Sequence, residues 1–100
     1  MAGRAVNAKE RYLLVNYQHL MAPHERMIAR SFVAADFNLD QIPRVVWDRV
    51  WLEFPGIERK DPWKLPIQIC VRLLHDHRHE IHVPPHLGGD AQQIVGGEAR

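Results

Sequence analysis

The chain has 100 residues, 46% hydrophobic and 25% charged, which is the size and composition of one folded domain and excludes both a disordered segment and a two-domain protein. Thirteen Lys and Arg against twelve Asp and Glu leave a net charge of +1, so bulk electrostatics draw it to neither nucleic acid nor an anionic membrane. No apolar run of secretory length opens the sequence, none approaches the roughly 20 residues that span a bilayer, and the single cysteine, Cys70, allows no internal disulfide; the expectation is a cytoplasmic protein without a membrane partner.

The fold expected is mainly α: a compact bundle of three to four helices over residues 1–86, followed by a flexible tail over residues 87–100. Asn7 with Glu10 is the pattern of a capping box, so a first helix starts there and runs to Met21, where Pro23 disfavours a helical Ala22. The same proline suits the first position of a second helix, which presents Ile28, Phe32 and Ala35 on one stripe and ends near Asp36. Asn38 with Gln41 repeats the capping signature and predicts a third helix over about Leu39 to Phe54, before Pro55 and Gly56 break it.

Residues 55–65 form the longest internal connection, which Trp63 is expected to pin to the core. From Pro66 to about His79 two periods coexist: Ile67, Cys70, Val71 and Leu74 make a helical stripe, while Ile67, Ile69, Val71 and Leu73 alternate as a strand does. Helix is favoured, because the run exceeds usual strand length and opens with a proline; the alternative is a C-terminal β-hairpin in place of the fourth helix.

The third helix carries the most information about function. At helical spacing Pro43, Val46, Trp47, Val50 and Phe54 form a broad apolar face, the expected core stripe. Opposite run two polar strips, Arg44 with Asp48 and Arg49 with Glu53, each spaced for an i,i+4 pair, and between them lie Val45 and Leu52. Either the helix is central and packs on both sides, or Val45 and Leu52 form an exposed contact patch with Trp51 at its border.

Charge is unevenly spread. Residues 1–35 carry Arg4, Lys9, Arg11, Arg26 and Arg30 against Glu10 and Glu25, whereas residues 36–61 carry six acids (Asp36, Asp40, Asp48, Glu53, Glu58, Asp61) against four bases. A partner-binding surface of Asp36, Asp40, Val45, Asp48, Trp51 and Leu52 follows from the overlap of the acidic segment with the second apolar line. The order of the second and third helices also fits a helix-turn-helix, for which Lys9, Arg11, Arg26 and Arg30 are the candidate nucleic-acid contacts. Against it, a recognition helix opening on Leu39, Asp40, Gln41, Ile42 and Pro43 offers few base-edge donors and turns acids toward phosphate.

No catalytic set emerges. Cys70 lies between Ile69 and Val71 and reads as a small buried apolar side chain, and there is no glycine-rich phosphate loop or nucleophile elbow. The cluster His75, His77, His79, His82 and His86 contains metal candidates of low specificity in His75, His79 and His82, but His79 and His82 miss the four-residue spacing of the zinc proteases and no cysteine pair completes a structural site. The expectation is therefore a non-enzyme without cofactor that binds a protein or a protein–nucleic acid complex. A regulator or inhibitor of a larger nucleic-acid-handling machine fits this profile, for example a phage- or plasmid-encoded anti-CRISPR or anti-restriction protein; the alternatives are a helix-turn-helix transcriptional regulator that binds DNA directly and a histidine-rich metal-binding protein.

Overall fold

The computed structural model describes residues 5–87, which form four α-helices: α1 (Ala8–Asn16), α2 (Pro23–Ala34), α3 (Arg44–Glu53) and α4 (Lys64–His77), with single 3₁₀ turns at Gln18–Leu20 and Leu39–Gln41. No strand occurs among the described residues, so the segment from Pro66 is helical and the hairpin alternative does not hold. Helices α1, α2 and α4 pack on one another, and α3 lies against α2. The N-terminal residues 1–4 and most of the tail expected over residues 87–100 lie outside the described residues.

The helix starts follow the side chains. The Asn7 carboxamide oxygen accepts from the Glu10 N–H at 2.8 Å, and the Glu10 carboxylate accepts from the Asn7 N–H at 3.1 Å, closing the capping box at the start of α1. Helix α2 starts on Pro23, and Glu25 reaches back to accept from the Ala22 N–H at 3.1 Å. In α4 Pro66 occupies the third helical position, where a missing N–H leaves no ladder bond unmade.

Two helices are shorter than their apolar pattern. α1 stops at Asn16 rather than Met21, because the Gln18 side-chain amide donates to the Leu14 carbonyl at 2.8 Å, taking the place of its own backbone N–H. α3 starts at Arg44 rather than Leu39: Pro43 forces Ile42 into an extended conformation (φ −82°, ψ 123°), so the Asn38 cap opens only a 3₁₀ turn and Pro43 is an exposed N-cap instead of a core residue.

The core is built around Phe32, fully buried, with the Trp47 ring edge-on at 5.9 Å and the Trp63 ring edge-on at 5.8 Å. Trp63 thereby fixes the long connection as expected. Leu13, Leu14, Ile28, Leu65, Ile69, Cys70 and Leu73 fill the space between α1, α2 and α4, and the Cys70 thiol lies 3.6 Å from the Glu10 carbonyl, toward which it donates. After α4 the chain runs extended; Ile81 and Val83 are buried, and the Tyr17 hydroxyl holds His82 between them, accepting from its N–H at 3.0 Å and donating to its carbonyl at 3.3 Å.

One polar pair is built into this core edge. The Glu25 carboxylate, almost wholly buried, takes both arms of the Arg72 guanidinium, one at 2.8 Å from Nε, and Arg72 also donates to Asp76 at 2.8 Å. Burial would raise the Glu25 pKa, but the hydrogen bonds from Arg72 and the Ala22 N–H, with the Arg72 charge, outweigh it and hold the carboxyl below its ordinary value. A depressed carboxyl contributes stability that is present above its unfolded pKa and is lost as pH falls through the folded one. Replacing Glu25 by Gln should therefore cost about 1–2 kcal/mol near neutral pH, between surface and fully buried pairs, and flatten the acid limb of a melting-temperature profile taken downward from pH 5; an acid limb unchanged from the parent protein would contradict this.

The end of α2 is strained. Phe37 N–H bonds to the Phe32 carbonyl at 2.8 Å and Asp36 N–H to Val33 at 2.9 Å, the paired bonds of a Schellman motif, and they place Asp36 (φ 53°) and Phe37 (φ 59°) in the left-handed region where glycine is usual. Phe37 is held by burial and by the Arg11 guanidinium 4.3 Å above its ring, whereas the Asp36 side chain is 98% exposed and meets Arg11 only at 3.9 Å. Asp36→Gly should consequently stabilise the protein by about 0.5–1 kcal/mol, a rise of a few degrees in Tm, while Phe37→Gly, with the same backbone relief, should lose about 2–4 kcal/mol of packing. Thermal melts of the two variants moving in the same direction would refute this account.

Candidate interaction surface on the third helix

Helix α3 is peripheral and packs on one side. Val50 is fully buried beneath it and Val46, Trp47 and Phe54 are half-buried against α2, so the inward face is the one its spacing implies, without Pro43. The second apolar line faces outward: Val45 is 72% and Leu52 75% exposed. Of the two arrangements open to this helix, the structure has the exposed one.

The outward face continues into a cleft. Trp51 stacks on Trp47 (5.4 Å between ring centres, 15° between planes), and the Arg59 guanidinium lies 4.9 Å over the Trp51 ring. With Arg44, Asp48 and Pro62 these side chains line a space of about 350 Å³. Around the helix, Trp51, Arg44, Asp48, Leu52 and Val45 follow one another over about a third of the circumference at 3.6 residues per turn. The surface thus joins a cation-capped indole, a carboxylate and two aliphatic side chains.

The six residues proposed from the sequence do not all meet. Val45, Asp48, Trp51 and Leu52 share this face. Asp36 lines a separate groove of about 620 Å³ with Ser31, Asn38, Gln41 and Val46, on the opposite flank of α3, and Asp40 sits exposed in the preceding 3₁₀ turn with its N–H on the Asn38 side chain at 3.0 Å. The acidic excess of the segment is also partly offset from outside it, Asp36 pairing with Arg11 and Glu58 with Lys64, whose pKa is raised by that hydrogen bond and charge, while Glu53 pairs within the segment with Arg49 at 3.4 Å. Arg44 and Asp48, spaced for an i,i+4 pair, make no ion pair among the described residues. Arg59 escaped the sequence reading, since a loop residue carries no periodic signal.

The basic candidates are largely engaged. Arg26 donates to the carbonyls of Gln18 (3.2 Å) and Met21 (3.0 Å), closing the 3₁₀ turn, and Arg11 covers Phe37, leaving Arg30 exposed and Lys9 half-buried. The helix-turn-helix order is present as α2, turn and α3, but two of its four proposed phosphate contacts hold the fold together.

The histidines also part company. α4 ends at His77, so His75, His79 and His82 do not share a helical face: His75 bonds to Asp76 at 2.9 Å, His79 lies in the following turn and His82 in the extended segment held by Tyr17. The His75 hydrogen bond, with Arg72, keeps Asp76 below the usual carboxylate range. Among the described residues no three His, Cys, Asp or Glu side chains are grouped to hold a metal ion. Different histidines converge instead: His19, His24 and His77, from three elements, line an open groove of about 630 Å³ beside the Glu25–Arg72 pair, a grouping no local spacing announces. No described helix is long and apolar enough to cross a membrane.

The chain matches no protein-family model, no curated protein and no solved structure.

Proposed function

We propose that this is a small non-catalytic macromolecule-binding protein that docks through the outer face of α3 on a larger protein or protein–nucleic acid complex. The observation that carries the reading is the exposure of Val45 and Leu52 on a helix packed from one side only, next to a cleft walled by Trp51 and Arg59. An aliphatic pair beside tryptophan and arginine is the composition of an interface hot spot, where apolar contact supplies affinity and the flanking charges set register.

In its sharper form the protein is a regulator or inhibitor, of the anti-CRISPR or anti-restriction kind, that occupies a nucleic-acid-handling machine. Supporting this are the acidic excess of residues 36–61 and the carboxylates Asp40 and Asp48 at the surface, which suit a basic channel. Capture from the native host followed by reconstitution with the identified chain tests it. The double variant Val45→Asp/Leu52→Asp should bind that chain at least about 30-fold more weakly with unchanged helicity, since each carboxylate would be desolvated in the contact. Undiminished affinity would reject this surface, and retardation of duplex DNA by the chain alone, weakening steeply with salt, would favour the helix-turn-helix regulator instead.

A further inference from the structure

The charges on α3 follow an order that the docking reading does not require. Around the exposed apolar pair, Arg44, Asp48, Arg49 and Glu53 form a stripe running obliquely across the helix, and its signs alternate: plus, minus, plus, minus. Reversed end for end, that order becomes minus, plus, minus, plus, the complement of itself. A two-fold axis through the middle of the stripe and perpendicular to it lays the stripe antiparallel on its own copy, with the two helices steeply crossed. Arg44 then meets Glu53 of the second copy and Asp48 meets its Arg49, each twice by symmetry.

We propose that a second copy of this chain occupies the α3 face, forming a reversible two-fold dimer with Val45 and Leu52 flanking its central charges. One observation supports this occupant over an unrelated one. Arg44 and Asp48 make no ion pair among the described residues although both are exposed, while Arg49 and Glu53 already pair at 3.4 Å, so in the dimer Arg44 and Asp48 of one copy extend the Arg49–Glu53 pair of the other into a row of four charges across each half of the contact. The aliphatic side chains beside the stripe, 72% and 75% exposed, are brought under cover by the same crossing. Crossed helices of ten residues bury less than the roughly 1,000 Å² of a stable interface, so the dissociation constant should be on the order of 100 μM. Such a dimer opens readily and leaves the face to a tighter partner.

The test is a charge swap followed by sedimentation velocity between about 10 μM and 1 mM. Arg44→Glu places two carboxylates opposite each other, and Glu53→Arg places two guanidinium groups opposite each other, so each variant alone should dimerise at least tenfold more weakly than the parent chain. Both changes put the helix-favoured sign at their end of α3, which offsets the like-charge i,i+4 neighbours each creates and, for Glu53→Arg, the lost Arg49 pair. Mixed in equal amounts the two should pair as a heterodimer of parental affinity, because each reversed end then faces its complement, a recovery that a purely structural role for these residues cannot produce. A parent chain that stays monomeric at 1 mM, single variants that dimerise like the parent, or a mixture that fails to associate would each overturn the proposal. It rests on α3 being the contact face, and the assay contains only this chain. A monomeric parent whose affinity for a captured partner falls on Val45→Asp/Leu52→Asp would reject self-association and leave the docking function standing.

Discussion

The placement of α3 in this molecule depends on one side chain. Phe32 points from α2 into the core, and its ring makes edge-to-face contacts with Trp47 of α3 and with Trp63, at the entrance to α4. Each edge-to-face contact contributes on the order of 1 kcal/mol beyond the area it buries. The placement matters more than that energy: among the described residues α3 has no second layer of structure above it, so the Phe32–Trp47 contact, with Val50 beneath, is what seats it. Trp51 then stacks outward on Trp47 and receives Arg59 from the connecting loop, carrying order from the core to the surface.

A helix held on one side must do something with its other side. A surface helix in that position usually turns only polar groups outward, and α3 largely does, with Arg44, Asp48, Arg49 and Glu53 exposed. Val45 and Leu52 break that rule. Scattered exposed aliphatics are ordinary, but two of them seven residues apart on one helical line, with a half-buried tryptophan at the margin, form a connected surface. Such a surface is defined by its shape and by the order of its charges.

The sequence made the helical class, the capping box at Asn7 and Glu10, the role of Trp63 and the α3 face of Val45, Asp48, Trp51 and Leu52 legible, because each is written in spacing along one element. What it concealed depends on contacts between elements or on competition within them. The apolar run past Asn16 looks helical, yet the Gln18 amide takes the carbonyl that the ladder needs. Pro43 acts on Ile42 as Pro23 acts on Ala22, but the capping pattern at Asn38 and Gln41 obscured it, and only a 3₁₀ turn forms there. The separation of Asp36 from the α3 face, and the convergence of His19, His24 and His77, are products of chain reversal, to which local periodicity is blind.

That reversal is itself a strained joint, and the strain has a structural use. Two successive left-handed residues, neither of them glycine, turn the chain from α2 toward α3, a cost on the order of 1 kcal/mol or more for each. Phe37 offsets it by burying its ring, and Arg11 of α1 closes over that ring, so the turn is tied to the first helix as well as the second. Ile42, buried a few residues on, anchors the far end of the segment before Pro43 opens α3. The direction in which α3 leaves the core is therefore fixed at both ends, by Phe37 before it and Trp47 within it. This pair of anchors sets the direction in which α3 presents its exposed aliphatic pair and the order of its charges.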